Sequence, residues 1–211
     1  MKIVAVQIDL GRQKEKIEFI KSFVDNAEKW GYNTIILYLE CSIRTKVTPF
    51  FDDDDTYSMT EIKEIAEYIE HKGLFAIPAF ENFYHIEKLL QYEEAAYLSE
   101  FTDERAEGRG WSSERFKRGA VGCTTNPEFN KFFDAYITEI CSVFPGEYVH
   151  MGLDEVFEFA ECPRCKARLE AGETKKDIFF SQVMHNYELV KSMGKIMLMW
   201  DDFFEYYDIV D

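Results

Sequence analysis

The chain has 211 residues, 46% hydrophobic and 16% aromatic, with 24 Lys and Arg against 40 Asp and Glu. That length can bury one sizeable core, and the aromatic content excludes a disordered chain. The formal charge of −16 argues against nucleic acid and against an anionic membrane surface as partners, because both are held by concentrated Lys and Arg.

Residues 3–10 form a short β-branched apolar run, which predicts a buried strand. The opening segment is too short for a signal peptide, and no apolar run approaches the roughly 20 residues of a membrane span. A cytoplasmic location is the expectation. Ile17, Ile20, Phe23, Val24 and Ala27 share one face of a predicted helix that closes at Gly31. Residues 34–39 read as a second strand. The acidic run 52–55 reads as a solvated loop, since it lacks the ligand spacing of a calcium site. Ser58 and Glu61 make a capping box, which opens a helix with Ile62, Ile65, Ala66 and Ile69 inward. Residues 74–79 are a third strand, and a helix begins near Ile86. Residues 101–123 are polar and Gly-rich, the pattern of a long functional loop. A helix follows from about Pro127, then a strand over 148–152. A loop with Cys162 and Cys165 precedes a helix carrying Ile178, Phe179, Val183, Tyr187 and Val190. Residues 196–200 are a fifth strand.

Strand and helix alternate throughout, which demands crossover connections and a parallel sheet covered by helices. No Gly-x-Gly-x-x-Gly follows the first strand and no P-loop occurs, so a nucleotide-binding doubly wound fold is disfavoured. The expected class is α/β, a (β/α) TIM-barrel type, incomplete at about five βα units with parallel strands, forming a single partial barrel over 1–211. In barrels, functional residues collect at the C-terminal ends of strands. Those ends carry Asp9 and Arg12, Glu40, Glu81 and His85, Asp154 and Glu155, then Trp200, Asp201 and Asp202.

The sharpest stretch is Tyr148-Val-His-Met-Gly-Leu-Asp-Glu155. A hydrophobic strand ends in two adjacent carboxylates. Adjacent strand residues point to opposite faces, so both can address one pocket only where the backbone turns near Gly152. Two carboxylates this close raise one pKa, which suits general acid work near neutral pH. Locally, an equal alternative is that Asp154 caps a following helix with Glu155 in its first turn.

His150-Met-Gly-Leu-Asp154-Glu155 resembles the His-x-Gly-x-Asp-Glu signature of glycoside hydrolase family 20, the β-N-acetylhexosaminidases. Val6-Gln-Ile-Asp9-Leu-Gly-Arg12 is similar to the family's first barrel strand, and the segment from Gly31 to Glu40 to its second. The segment from Ile77 to Glu87, with His85, is similar to its third, and that from Gly194 to Asp202 to its fifth. The likeness covers almost the whole chain and is nearest the hexosaminidase D-like branch. It implies a retaining, substrate-assisted hydrolase of terminal β-linked N-acetylhexosamine. Asp154 would orient the 2-acetamido group, and Glu155 would be the general acid/base. Arg12, His85, His150, Trp200, Asp201 and Glu40 are the implied substrate-binding set. No cofactor is implied, and the partner would be an N-acetylhexosamine-containing glycan or glycoside.

Each residue also has a structural reading. Arg12 could be a surface ion-pair partner, His85 could satisfy a buried carboxylate, Trp200 could be core, and His150 could support the acidic pair from behind. A non-catalytic partial barrel is the alternative function. A metal enzyme built on Glu40, Glu81, Asp154 and Asp201 is a third reading. The five cysteines are scattered and odd in number, so free thiols are expected. Cys162 and Cys165 have the spacing of half a zinc site, whose remainder would come from Cys123, Cys41 or a His. A complete barrel usually takes about 250 residues and eight βα units. The count of five therefore predicts a truncated domain with open edges, covered by homo-oligomer formation and weak or inactive alone.

Overall fold

The computed structural model describes residues 2–101 and 116–206, with only the backbone for 205 and 206. Most of the loop expected over 101–123 lies outside the described residues. The chain runs β1 (Ala5–Asp9), α1 (Ile17–Lys29), β2 (Thr34–Tyr38), β3 (Ile43–Arg44), β4 (Tyr57–Ser58), α2 (Met59–His71) and β5 (Phe75–Ala79). It continues through α3 (Glu87–Leu90), a 3-10 helix (Glu93–Leu98), α4 (Pro127–Cys141), β6 (Tyr148–His150), α5 (Pro163–Glu170), α6 (Lys175–Ser192), β7 (Ile196–Leu198) and α7 (Asp202–Tyr206).

The five long-range strands form one parallel sheet in the order β1-β2-β5-β6-β7. Each new strand is added beside the last, on the same side. This one-directional order is that of a barrel, whereas a doubly wound sheet reverses direction part-way. β3 and β4 form a separate two-residue pair.

The helices form where the sequence pattern puts an apolar face against this sheet. Ile20, Val24 and Ala27 of α1 are buried, as are Ile62, Ile65, Ala66 and Ile69 of α2. Burial of each large aliphatic side chain is worth about 1.5–3 kcal/mol, which outweighs the weak intrinsic stability of a 13-residue helix. At the start of α2 the Ser58 hydroxyl accepts from the Glu61 N–H, and the Glu61 carboxylate accepts from the Ser58 N–H at 2.7 Å. Asn126 caps α4, with Pro127 in its first turn.

The core has two parts. One lies under α1, α2 and α4 and includes Ile8, Ile35, Leu37, Phe133, Ile137 and Val149. The other lies beside α6 and includes Phe83, Phe159, Ile178, Phe179 and Phe203. There the Phe179 and Phe203 rings stack at 3.5 Å between centroids. α6 also buries Asn186, whose amide exchanges hydrogen bonds with that of Asn82 at 2.7 and 3.0 Å. This ties α6 to the chain just beyond β5.

Two helices were not expected. α5 begins at the Cys-x-x-Cys segment, with Cys162 as its cap and Pro163 in its first turn. Its only buried residue is Cys165, so it has no apolar stripe to announce it. α7 follows Asp201 directly. Among the described residues, no helix is long and apolar enough to cross a membrane.

Candidate active site

The loops leaving β2, β5 and β6 contain five residues with positive φ that carry or adjoin the acidic groups. They are Glu40 (44°), His85 (54°), Gly152 (65°), Leu153 (75°) and Glu155 (51°). Each non-glycine residue in this region costs of order 1–3 kcal/mol, and such strain gathers where geometry is fixed for function. The irregular backbone expected around Gly152 is therefore present. No helix starts at Asp154 or Glu155; the next one begins at Pro163, so the capping alternative does not describe this pair.

The turn brings both carboxylates to one histidine. His85 Nε2 lies 3.1 Å from Glu155 Oε2 and 3.7 Å from Asp154 Oδ2. Asp154 is 24% exposed at its side chain and Glu155 58%, so Glu155 is the carboxyl that meets solvent. The start of α7 fixes the turn from the other side. The Glu155 N–H donates to Asp202 Oδ2 at 2.9 Å, and the Trp200 N–H donates to the Gly152 carbonyl at 3.0 Å.

Behind Asp154 sits Glu81, fully buried at the end of β5. Its carboxyl lies directly on Gly152, where a β-carbon would stand 2.2–2.3 Å from its atoms. Burial, and then the negative charge of Asp154, push the Glu81 pKa well above the ordinary carboxylate range. Two carboxyl groups side by side are stable when one of them holds a proton, and burial favours it on Glu81, the fully buried member. Tyr38 of β2 borders the same group, and burial pushes its own hydroxyl up.

His150 is buried on the other flank. Burial lowers its pKa to about 4, opposed by the Asp154 charge, so the ring is neutral at pH 7. Its Nδ1 accepts the Gly152 N–H at 3.1 Å, which places the ring proton on Nε2. The indole of Trp200 packs against the imidazole at 4.6 Å between centroids and is itself 37% exposed.

The structure thus brings together His85, Asp154, Glu155, His150 and Trp200. Glu40 and His150, expected among the sugar contacts, are buried and face other side chains rather than solvent. Glu40 packs on Gly11, where a β-carbon would meet its Cδ at 2.5 Å. Arg12 stands at the end of β1 with its side chain 64% exposed, 3.6 Å from Asp9, and makes no ion pair with Asp154 or Glu155. Asp201 is exposed. Among the described residues, two groups are close enough to share one ion: His85 with Asp154 and Glu155, and Glu100 with Cys123, Cys162 and Cys165. The four-carboxylate set of Glu40, Glu81, Asp154 and Asp201 is not one of them. Sequence reasoning assigned Tyr38 and Asp202 no role in the site, and Glu81 only one as a ligand in the metal-enzyme reading. Glu81 and Asp202 were visible as strand-end acids, but Tyr38 gave no signal of its own.

The catalytic-domain model of glycosyl hydrolase family 20 matches residues 43–211. The chain belongs to glycoside hydrolase family 20. It is 25% identical over 150 residues to a beta-hexosaminidase of Vibrio furnissii, covering 69% of this chain and 24% of that protein. It is 25% identical over 162 residues to the beta subunit of beta-hexosaminidase from Rattus norvegicus, covering 71% and 27%. The chain therefore spans about a quarter of the length of these curated relatives. Its fold is similar to that of the beta-N-acetylhexosaminidase of Bacteroides fragilis, with a TM-score of 0.78 and 23% identity over 95% of this chain and 42% of that one. It is similar too to the family 20 exo-beta-N-acetylglucosaminidase of Vibrio harveyi in complex with N-acetylglucosamine. There the TM-score is 0.80 and the identity 21%, over 99% of this chain and 36% of the other. The (β/α)-barrel type of the family is the architecture of the sheet described above.

Proposed function

We propose that this chain carries the acid/base half-site of a β-N-acetylhexosaminidase that removes terminal β-linked N-acetylhexosamine. The observation that carries the reading is the convergence of Asp154 and Glu155 on His85 at the C-terminal end of a parallel sheet. The family departs from the two-carboxylate scheme of most glycosidases, because its substrates supply their own nucleophile. The 2-acetamido oxygen attacks the anomeric carbon while the glycosidic bond to the leaving oxygen breaks. Glu155, solvent-facing and 3.1 Å from His85, is suited to give its proton to that oxygen. It then takes one from the water that opens the oxazolinium ring. Asp154, held from behind by protonated Glu81, is suited to orient the acetamido N–H and to offset the positive charge that develops on it. Trp200 offers its exposed face to the acetamido group. Arg12, on the same end of the sheet, offers a planar fork to sugar hydroxyls.

The test is release of nitrophenol from nitrophenyl N-acetyl-β-glucosaminide. Glu155→Gln is expected to lower kcat/KM by about 10²–10⁴, the usual worth of a positioned general acid. A folded chain that binds the sugar but releases no nitrophenol would replace this reading with a non-catalytic sugar-binding module.

A further inference from the structure

Away from the acidic pair, three of the five cysteines meet at one buried point. Cys123 Sγ lies 3.3 Å from Cys162 Sγ and 3.8 Å from Cys165 Sγ. The fourth member is Glu100, also buried. Its Oε1 accepts the backbone N–H groups of Glu161 and Cys162 at 2.6 and 2.8 Å. That leaves Oε2 aimed at Cys165 Sγ, 3.6 Å away. Three sulfur atoms and one carboxylate oxygen thus lie within 4.8 Å of one another.

The second carboxylate oxygen is thus aimed into three buried sulfur atoms, a donor set of one oxygen and three sulfurs that suits a cation. The distances suit a zinc ion. A tetrahedral zinc with bonds of about 2.3 Å to sulfur and 2.1 Å to oxygen sets S···S near 3.8 Å and S···O near 3.6 Å. The Cys123–Cys165 and Cys165–Glu100 separations, 3.8 and 3.6 Å, are these values; Cys123–Cys162 is slightly compressed. The Cys165 N–H points at Cys162 Sγ, 3.4 Å away, so the Cys-x-x-Cys turn offers the backbone support that a thiolate needs. Thr125 Oγ1 lies 3.2 Å from Cys165 Sγ and 3.4 Å from Arg168 Nη1. Arg168 itself is ion-paired with Glu173, so through Thr125 it positions the cluster rather than neutralising it.

We propose that Glu100, Cys123, Cys162 and Cys165 form a structural zinc site. Four protein ligands close the coordination sphere, so the site holds structure rather than substrate. Binding releases the thiol protons to solvent as the Zn–S bonds form. The ion would join the segment after β5 to the loop after β6, where Cys162 follows Glu155 by seven residues. It would thereby anchor the far end of the strained acidic turn. A disulfide between Cys123 and Cys162 would use two of the four groups and leave Glu100 buried against a lone thiol.

The test is the metal content of the full chain, purified reduced and without chelator after growth in zinc-supplemented medium. One zinc per chain is expected by plasma mass spectrometry, in the wild type and in Cys41→Ser. Cys123→Ser and Cys165→Ser are expected to lose it, and Glu100→Gln to weaken it by at least about tenfold. Should the cysteine variants fail to fold, cobalt(II) added to the wild type is the second readout. A thiolate-to-cobalt charge-transfer band with intense tetrahedral d–d bands supports the site. Reduced wild type that stays metal-free in excess zinc, cobalt spectra without a thiolate band, or recovery of Cys123 and Cys162 as a disulfide would each overturn it.

Discussion

Glu81 makes a prediction whose size follows from its surroundings. Its side chain is fully buried, and its pKa is held well above 4.5 by burial and by Asp154. The unfolded chain releases this proton near pH 4.5, while the folded chain keeps it. A group with a raised folded pKa contributes stability that is present below its unfolded value and is lost as pH rises toward the folded one. The loss is about 1.4 kcal/mol for each pH unit. Glu81→Gln cannot ionise in either state, and its amide N–H can replace the carboxyl proton toward Asp154. The variant should therefore match the wild type near pH 4.5 and exceed it by a margin that grows as pH rises toward neutral, at up to about 1.4 kcal/mol per unit while the folded Glu81 keeps its proton. Urea denaturation at pH values spanning that range, followed by tryptophan fluorescence, reads the difference. A difference that does not change with pH would mean that Glu81 ionises normally in the folded chain. The shared-proton account of the Glu81–Asp154 pair would then fall.

Two further substitutions probe the neighbours of this pair. Gly152→Ala places a β-carbon 2.2–2.3 Å from the Glu81 carboxyl at a φ of +65°. The left-handed conformation alone costs about 1–2 kcal/mol, so a loss above about 2 kcal/mol is expected on chemical denaturation; unchanged stability would refute the close approach. His150→Asn addresses the group whose folded pKa is lowered from 6.5 to about 4. Its contribution is complete above pH 6.5 and is lost as pH falls toward 4, about 3 kcal/mol in all. The variant should therefore gain about that much on the wild type as pH falls from 6.5 toward 4, and a difference independent of pH would contradict a buried neutral imidazole.

The fold was legible because its signals are local and periodic. The apolar faces of α1, α2 and α4, the box at Ser58 and Glu61, and the β-branched runs each state their own structure within a dozen residues. α5 stayed hidden because it buries only Cys165, and α6 buries Gln182 and Asn186, which no hydrophobic period reveals. At the site, the adjacency of Asp154 and Glu155 lies within one motif, as does the need for a turn at Gly152. The contacts that set their chemistry do not. Glu81 meets Asp154 across the β5–β6 pairing, and Asp202 reaches Glu155 from the far side of β7. Glu100 and Cys123 join Cys162 and Cys165 from a different loop. Cys-x-x-Cys announces half of such a cluster at most, because only the tertiary fold decides which distant thiol and carboxylate complete it.

The two linked titrations act against each other, and this explains how the site tolerates its own burial. As pH rises from about 4.5, the stability that Glu81 loses is opposed by what His150 gains, each at up to about 1.4 kcal/mol per unit. The two slopes offset each other in the wild type, and each single variant uncovers the slope of the other. Both groups reach this balance by staying neutral. An uncharged Glu81 behind and an uncharged His150 beside leave Asp154 as the charge that the buried part of the site presents. In the proposed mechanism, the acetamido group becomes positive next to that carboxylate. A second fixed negative charge at Glu81 would be paired with nothing, and a positive imidazolium at His150 would cancel the field that Asp154 supplies. The burial that costs stability in each direction of pH is the same burial that aims a single charge.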